Sequence, residues 1–191
     1  MVETNSEMLE LGTQAPDFAL LDAMTQEKVS LSDFGSQPLL VAFISAHCPF
    51  VINMEAAFGK FSDDFEGKLA MVAISSNDVE GYPDDAPERL AAQAIAHGFA
   101  MPYLYDETQE VAKAYKAACT PDLFLFDDSH KLVYRGQFDR SRPGNSVDPD
   151  GADLRQAADA LLSGQDITQD QIPSMGCNIK WKPGNEPDYF G

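Results

Sequence analysis

One stretch constrains this chain more than any other. The apolar run Leu39-Leu40-Val41-Ala42-Phe43-Ile44 ends just before Ser45-Ala46-His47-Cys48-Pro49. Consecutive apolar residues bounded by turn-forming sequence read as a strand buried on both faces, and this run is far too short to span a membrane. Beyond it, Val51, Met54, Phe58, Phe61 and Phe65 recur at helical spacing, which predicts a helix over about Pro49 to Phe65. Proline suits a first helical position, because the N–H it lacks would have no partner there. Cys48 therefore falls where unpaired backbone N–H groups and the positive end of the helix dipole both favour thiolate. Such surroundings pull a thiol pKa from about 8.5 to between roughly 3.5 and 7.5. An isolated cysteine is more often an inert buried thiol. Strand, turn, Cys, Pro and helix in that order favour the reactive reading.

The rest of the chain alternates in the same manner. Short strands at Phe18 to Leu21 and Lys28 to Leu31 flank a turn-like Asp22-Ala23-Met24-Thr25-Gln26, and another strand runs through Leu69 to Ser75. Pro87 and Gly98 bracket a helix over Glu88 to His97 as its first position and its C-terminal cap. A strand at Pro102 to Tyr105 and a helix near Thr108 to Tyr115 precede Ala118-Cys119-Thr120-Pro121. Strands at Leu123 to Phe126 and Lys131 to Arg135 come next. A last helix spans Ala152 to Leu162, with an Asp of the Asp148 to Asp153 turn as its N-cap. This order predicts a partly parallel sheet with helices on both faces. The first ten residues read as a flexible lead-in. The tail from residue 165, rich in proline but carrying Ile172, Ile179, Trp181, Tyr189 and Phe190, reads as an extension docked on a domain of residues 11–164.

Composition narrows the function. With 13 basic against 31 acidic residues among 191, the net charge is −18. That argues against nucleic acid or an anionic membrane surface, both of which require a basic footprint. The acidic start, Met1 to Glu7, lacks the basic and apolar regions of a secretory signal, so a cytoplasmic, reducing setting is expected. Three cysteines there point to redox or catalytic roles rather than staples. Three histidines without paired spacing do not suggest a metal site, and no cofactor is expected. Asp84, Asp85 and Glu88 read as complements to the dipole of the helix they precede.

Strand-Cys-helix followed by Thr120-Pro121 before an apolar strand resembles the thioredoxin-like superfamily. The opening Gly12-Thr13-Gln14-Ala15-Pro16-Asp17-Phe18 resembles its peroxiredoxin-like (AhpC/TSA-type) branch, as do Ala73 to Asp78 and the tail around Pro173 to Pro187. The resemblance implies a three-layer α/β/α sandwich with an N-terminal β extension and a docked C-terminal tail. It implies a cis Pro121 facing the cysteine. It also implies an antioxidant oxidoreductase that reduces a small peroxide or disulfide and is recycled by a thiol reductant such as thioredoxin or glutathione, with a homodimer as an assembly to look for. Cys48 would be the nucleophile, Ser45 and His47 would polarise or position it, and Thr120-Pro121 would shape the groove. Cys177 and Cys119 are both candidates to resolve an oxidised Cys48.

The departures are informative. Ser45 stands where a thioredoxin has its first cysteine, so no dithiol forms within the motif. Val41 replaces the peroxiredoxin proline, and the usual arginine near the proline loop is not evident. A supporting cation would come from Arg135, Arg140 or Arg142, within the stretch Lys131 to Arg142. The rival reading is a non-catalytic thioredoxin-fold binding or redox-sensing module.

Overall fold

The computed structural model describes residues 3–190. In chain order come β1 (Glu3–Asn5), β2 (Ala19–Asp22), β3 (Lys28–Ser30), β4 (Leu39–Phe43), α1 (Pro49–Asp64) and β5 (Ala70–Ser75). There follow α2 (Pro87–His97), β6 (Tyr103–Tyr105), α3 (Glu110–Ala114), β7 (Cys119–Thr120) and β8 (Asp122–Phe126). The last are β9 (Leu132–Gly136), α4 (Ala152–Leu162) and β10 (Met175–Asn178). Single 3-10 turns occupy Leu31–Phe34 and Pro83–Asp85.

A seven-stranded sheet has the order β3-β2-β6-β5-β4-β8-β9. The expected partly parallel character holds: β4, β5 and β6 run parallel, while β8, β9 and the β2–β3 hairpin add antiparallel edges. All five residues of β4 are fully buried, because the strand lies mid-sheet with packing on both faces. Its side chains alternate between two cores. Leu40 and Ala42, with Ile44 just past the strand, pack under α1, α2 and α4, against Met54, Phe58, Leu90 and Leu154. Leu39, Val41 and Phe43 point the other way, toward α3, Tyr115 and the tail's Trp181. The result is the α/β/α sandwich, and Gly98 caps α2 in the left-handed region at φ 65° as expected.

Two sequence expectations change. The lead-in is not loose over its described part, since Glu3–Asn5 is a strand; Met1 and Val2 lie outside the described residues. That strand pairs with β10, which pairs with β7, making a second sheet of order β1-β10-β7. The tail is thus a strand as well as a cover, with Ile179 and Trp181 anchored in the second core. The N-cap of α4 is Gly151 instead of an aspartate. Asp150 accepts the Ala152 N–H from one residue further out, and Asp139 takes the N–H groups of Asp150 and Gly151.

Glycine sets how closely β10 approaches β7 and the proline loop. A Cβ on Gly176 would lie 2.0 Å from the Thr120 carbonyl oxygen, so only glycine lets β10 rest there. That approach brings the tail to the end of β4.

Candidate active site

Cys48 is the N-cap of α1 with Pro49 at the first helical position, as the sequence predicts. Its sulfur is fully buried. Yet the site favours its charged form, holding the pKa down to about 6. The largest cause is the Cys177 thiol, whose sulfur lies 2.8 Å from that of Cys48. Burial opposes it, while the Thr120 side chain and the backbone N–H groups of Val51 and Cys177 reinforce it. The proton between the sulfurs stays with Cys177, whose pKa is raised by that same bond and by burial. The Phe50 N–H faces Cys177, so the first turn of α1 serves both sulfurs.

The Thr120-Pro121 bond is cis, as the resemblance implies. The Thr120 carbonyl oxygen lies 3.1 Å from the Cys48 sulfur. Ser45, fully buried, lies 3.3 Å from Thr120 through the two hydroxyls. It therefore braces the proline loop, with Thr120 standing between it and the sulfur. Cys119 is in a different environment. Its thiol faces the Pro121 carbonyl at 3.4 Å and the Ser174 carbonyl at 4.0 Å. Burial and the nearby Asp122 carboxylate push its pKa well up. Of the two resolving candidates, the structure brings Cys177 to Cys48.

His47 is bonded to Asp85, and the described residues contain no group of three or more His, Cys, Asp or Glu side chains that could hold a metal ion. Its Nδ1 lies 2.6 Å from Asp85 Oδ2. Asp85 also accepts the backbone N–H groups of Ala46 and His47 at 2.8 and 3.1 Å and the Asn77 side-chain amide at 2.6 Å. Although Asp85 precedes α2, it is fully buried and turned away from a dipole role. Tyr82 stacks on the His47 ring at 5.5 Å and 14°. The hydrogen bond to Asp85 raises the His47 pKa against the effect of burial.

The cation at this site comes from the tail. Arg135 donates to the Leu9 carbonyl and to Gln171, and Arg142 to Gln137 and two backbone carbonyls. Arg140 lines a groove of about 940 Å³ along α4. Lys180, buried on the tail, is the one whose charge acts on Cys48, Cys177 and Asp85. Its ammonium bonds the Asn178 carbonyl and side chain and lies 5.7 Å from the Tyr82 ring centroid. Its backbone N–H reaches Asn77, itself bonded to Asp85. Asp85 and Lys180 are the residues that sequence reasoning missed. Pro83-Asp84-Asp85-Ala86-Pro87 held the only hint, as an acid fixed in a rigid turn.

The chain as a whole is similar to known proteins. A family model described as the AhpC/TSA family matches residues 11–135. A provisionally named peroxiredoxin of Mycobacterium tuberculosis H37Rv is 32% identical over 114 residues, 60% of this chain and 68% of that protein. The crystal structure of a hypothetical protein from Sinorhizobium meliloti 1021 shares 52% identity at a TM-score of 0.92, covering 95% of this chain and all of that one. An uncharacterized conserved protein from Geobacillus kaustophilus shares 47% at 0.93, covering 96% and 98%. Both superpose on the tail as well as the sheet.

Proposed function

Because this chain belongs to the AhpC/TSA family, we propose that it is a two-cysteine thiol peroxidase, with Cys48 the attacking thiolate and Cys177 the resolving thiol. One observation carries the reading: a thiolate-favouring sulfur at a helix N-terminus with a second thiol 2.8 Å away. A substrate must reach a Cys48 that is fully buried. A hydroperoxide is small enough to do so, whereas a disulfide carried on a folded protein meets no exposed sulfur.

The Cys48 thiolate attacks the terminal peroxide oxygen. An S–O bond forms, the O–O bond breaks, and the sulfur is oxidised by two electrons to a sulfenic acid while the leaving oxygen departs with the bonding pair as an alkoxide or hydroxide, which a proton then converts to alcohol or water. Cys177 then attacks the sulfenic sulfur. An S–S bond forms, the S–O bond breaks, and the thiol proton leaves with hydroxide as water. Two small thiols of the glutathione class, oxidised together to their disulfide, return both sulfurs to thiols. Thr120 and the N–H groups of Val51 and Cys177 hold the thiolate, and Ser45 holds Thr120.

The test is a rapid mix of reduced protein with hydrogen peroxide, followed by mass mapping of the cysteines. The expected product is a Cys48–Cys177 disulfide, with Cys48 alkylating along a pH curve centred near 6. Persistence of both thiols under peroxide, with Cys48 titrating near 8.5, about the ordinary thiol value, would overturn the reading in favour of a binding module.

A further inference from the structure

Breaking an O–O bond leaves a strongly basic oxygen, and nothing in the chemistry above supplies its proton. Neither sulfur can: Cys48 reacts as the anion, and Cys177 releases its proton only in the next step. His47 stands directly before the nucleophile in the chain and carries the one imidazole at the site. Its Nδ1 edge is occupied by Asp85, so the proton offered to a ligand is the one on Nε2. The ring is fixed twice over, by the 2.6 Å bond to Asp85 and by the Tyr82 ring stacked on it.

Asp85 is in turn held more firmly than a surface acid could be. It is fully buried and takes four N–H donors: the Ala46 and His47 backbones on one oxygen, the His47 ring and the Asn77 amide on the other. Two of those donors belong to the loop immediately before Cys48. A carboxylate used only to cap that loop would not also need an imidazole at its second oxygen.

We infer that His47 donates the Nε2 proton to the leaving oxygen of the peroxide, and that Asp85 is the positioning residue that holds the imidazole ring in place through Nδ1. The inference rests on the thiol-peroxidase reading and extends it. As the sulfur–oxygen bond forms, the alkoxide or hydroxide leaving group takes the Nε2 proton. His47 is left neutral and regains a proton from solvent before the next turnover. Three charged groups face the ring: Asp85 from the turn before α2, the Cys48 thiolate from the start of α1, and Lys180 from the tail. The first two favour imidazolium and the third opposes it. Asn77 closes the arrangement by joining Asp85 to the Lys180 backbone, so the segment that carries Cys177 is set in register with the proton donor.

A pair of measurements on Asp85→Asn and His47→Gln separates this role from a structural one. Alkylation of Cys48 by iodoacetamide expels iodide, which needs no proton, so it reports only on the thiolate. Hydrogen peroxide reduction needs both thiolate and proton. In wild type, peroxide rate should rise with the Cys48 ionisation and fall again as His47 loses its proton. In Asp85→Asn the falling limb should move to lower pH, with peroxide rate at about pH 8 down at least tenfold and alkylation within about twofold. His47→Gln should lose about a hundredfold in peroxide rate with alkylation likewise retained. Asp85→Glu should restore part of the rate. Equal loss of both reactions in Asp85→Asn would reduce Asp85 to loop scaffolding and overturn the inference, as would a peroxide rate and pH curve like those of wild type. A wild-type protein that alkylates normally but ignores peroxide would instead overturn the peroxidase reading on which this one stands.

Discussion

Cys48 and Cys119 are both fully buried and both lie against the cis Thr120-Pro121 loop, yet their thiols are driven in opposite directions. Burial opposes the anion at each. The difference lies in what surrounds the sulfur. Around Cys48 a thiol, the Thr120 side chain and backbone N–H groups can donate to an anion, and together they outweigh the one acceptor close by, the Thr120 carbonyl at 3.1 Å. Around Cys119 stand two carbonyl oxygens and the Asp122 carboxylate, which can only accept or repel. Reactivity in this fold is therefore a matter of donors arranged by the first turn of α1 and by β10, and exposure has little to do with it.

The harshest way to probe that contrast is to remove the reactive sulfur. Cys48→Ser should lower peroxide reduction by about a thousandfold or more, since no other thiol at the site is poised as an anion. A peroxide assay with a coupled thiol reductant checks it. Residual turnover near wild type would mean that Cys177 or Cys119 can serve as nucleophile, and the contrast would fail.

A subtler break leaves every sulfur in place. Gly176→Ala would put a Cβ 2.0 Å from the Thr120 oxygen and 2.6 Å from its carbonyl carbon, atoms of a buried backbone that cannot swing aside. Such overpacking costs roughly 1–3 kcal/mol, and β10 has to withdraw from β7. Cys177 then leaves Cys48, which loses its largest source of thiolate stabilisation. The alkylation midpoint of Cys48 should climb from about 6 toward the ordinary thiol range, and sulfenic acid should accumulate at the expense of disulfide. An unchanged midpoint would show that α1 alone holds the thiolate.

How much of this was legible beforehand follows from the range of each interaction. The strand at β4, the helix after Cys48 and the caps of α2 could be read because their signals lie within a few residues of one another. Strands β1, β7 and β10 could not, being two to four residues long and formed wholly by partners far away in the chain. Cys177 was visible as a candidate, but the choice over Cys119 depends on Gly176 letting β10 rest on Thr120, which is a distance and not a pattern. Asp85 was misread for the same reason. Beside α2 in sequence it has the character of a dipole complement, while in space its partners are Ala46 and His47, 39 and 38 residues earlier. Lys180 lay outside the arginine stretch because charge proximity is set by where the tail docks.

The non-reactive side of the contrast has a pH signature. Asp122 is buried beside Cys119, and its pKa is raised to about 7 from 3.8, chiefly by burial. The native state therefore binds more protons than the unfolded chain between about pH 4 and 7, so this group subtracts stability as pH rises through that window. A difference of about 3 units sets a ceiling of ~4 kcal/mol on the effect. Asp122→Asn should flatten the pH dependence relative to wild type, as measured by urea unfolding at both ends of the window. Parallel curves for the two proteins would mean that the carboxylate is not strained by its surroundings.

The smallest effect is expected where the sequence left two sulfurs competing for one task. Cys119 packs against the carbonyls of Pro121 and Ser174 and has no anion-favouring donor, so Cys119→Ala removes volume and little chemistry. Stability should fall by about 1 kcal/mol, as for other modest core truncations. Peroxide turnover and the yield of Cys48–Cys177 disulfide should stay within about twofold of wild type, because the altered atom touches neither the donors nor the resolving thiol. The measurement is disulfide mapping after a single peroxide addition, together with steady-state turnover. A marked drop in disulfide yield would show that oxidation passes through Cys119, and that an acceptor-lined sulfur can be recruited once Cys48 has been oxidised. The contrast between the two cysteines would then describe only the first step of the cycle, since a sulfenic acid at Cys48 no longer needs the donors that held its thiolate.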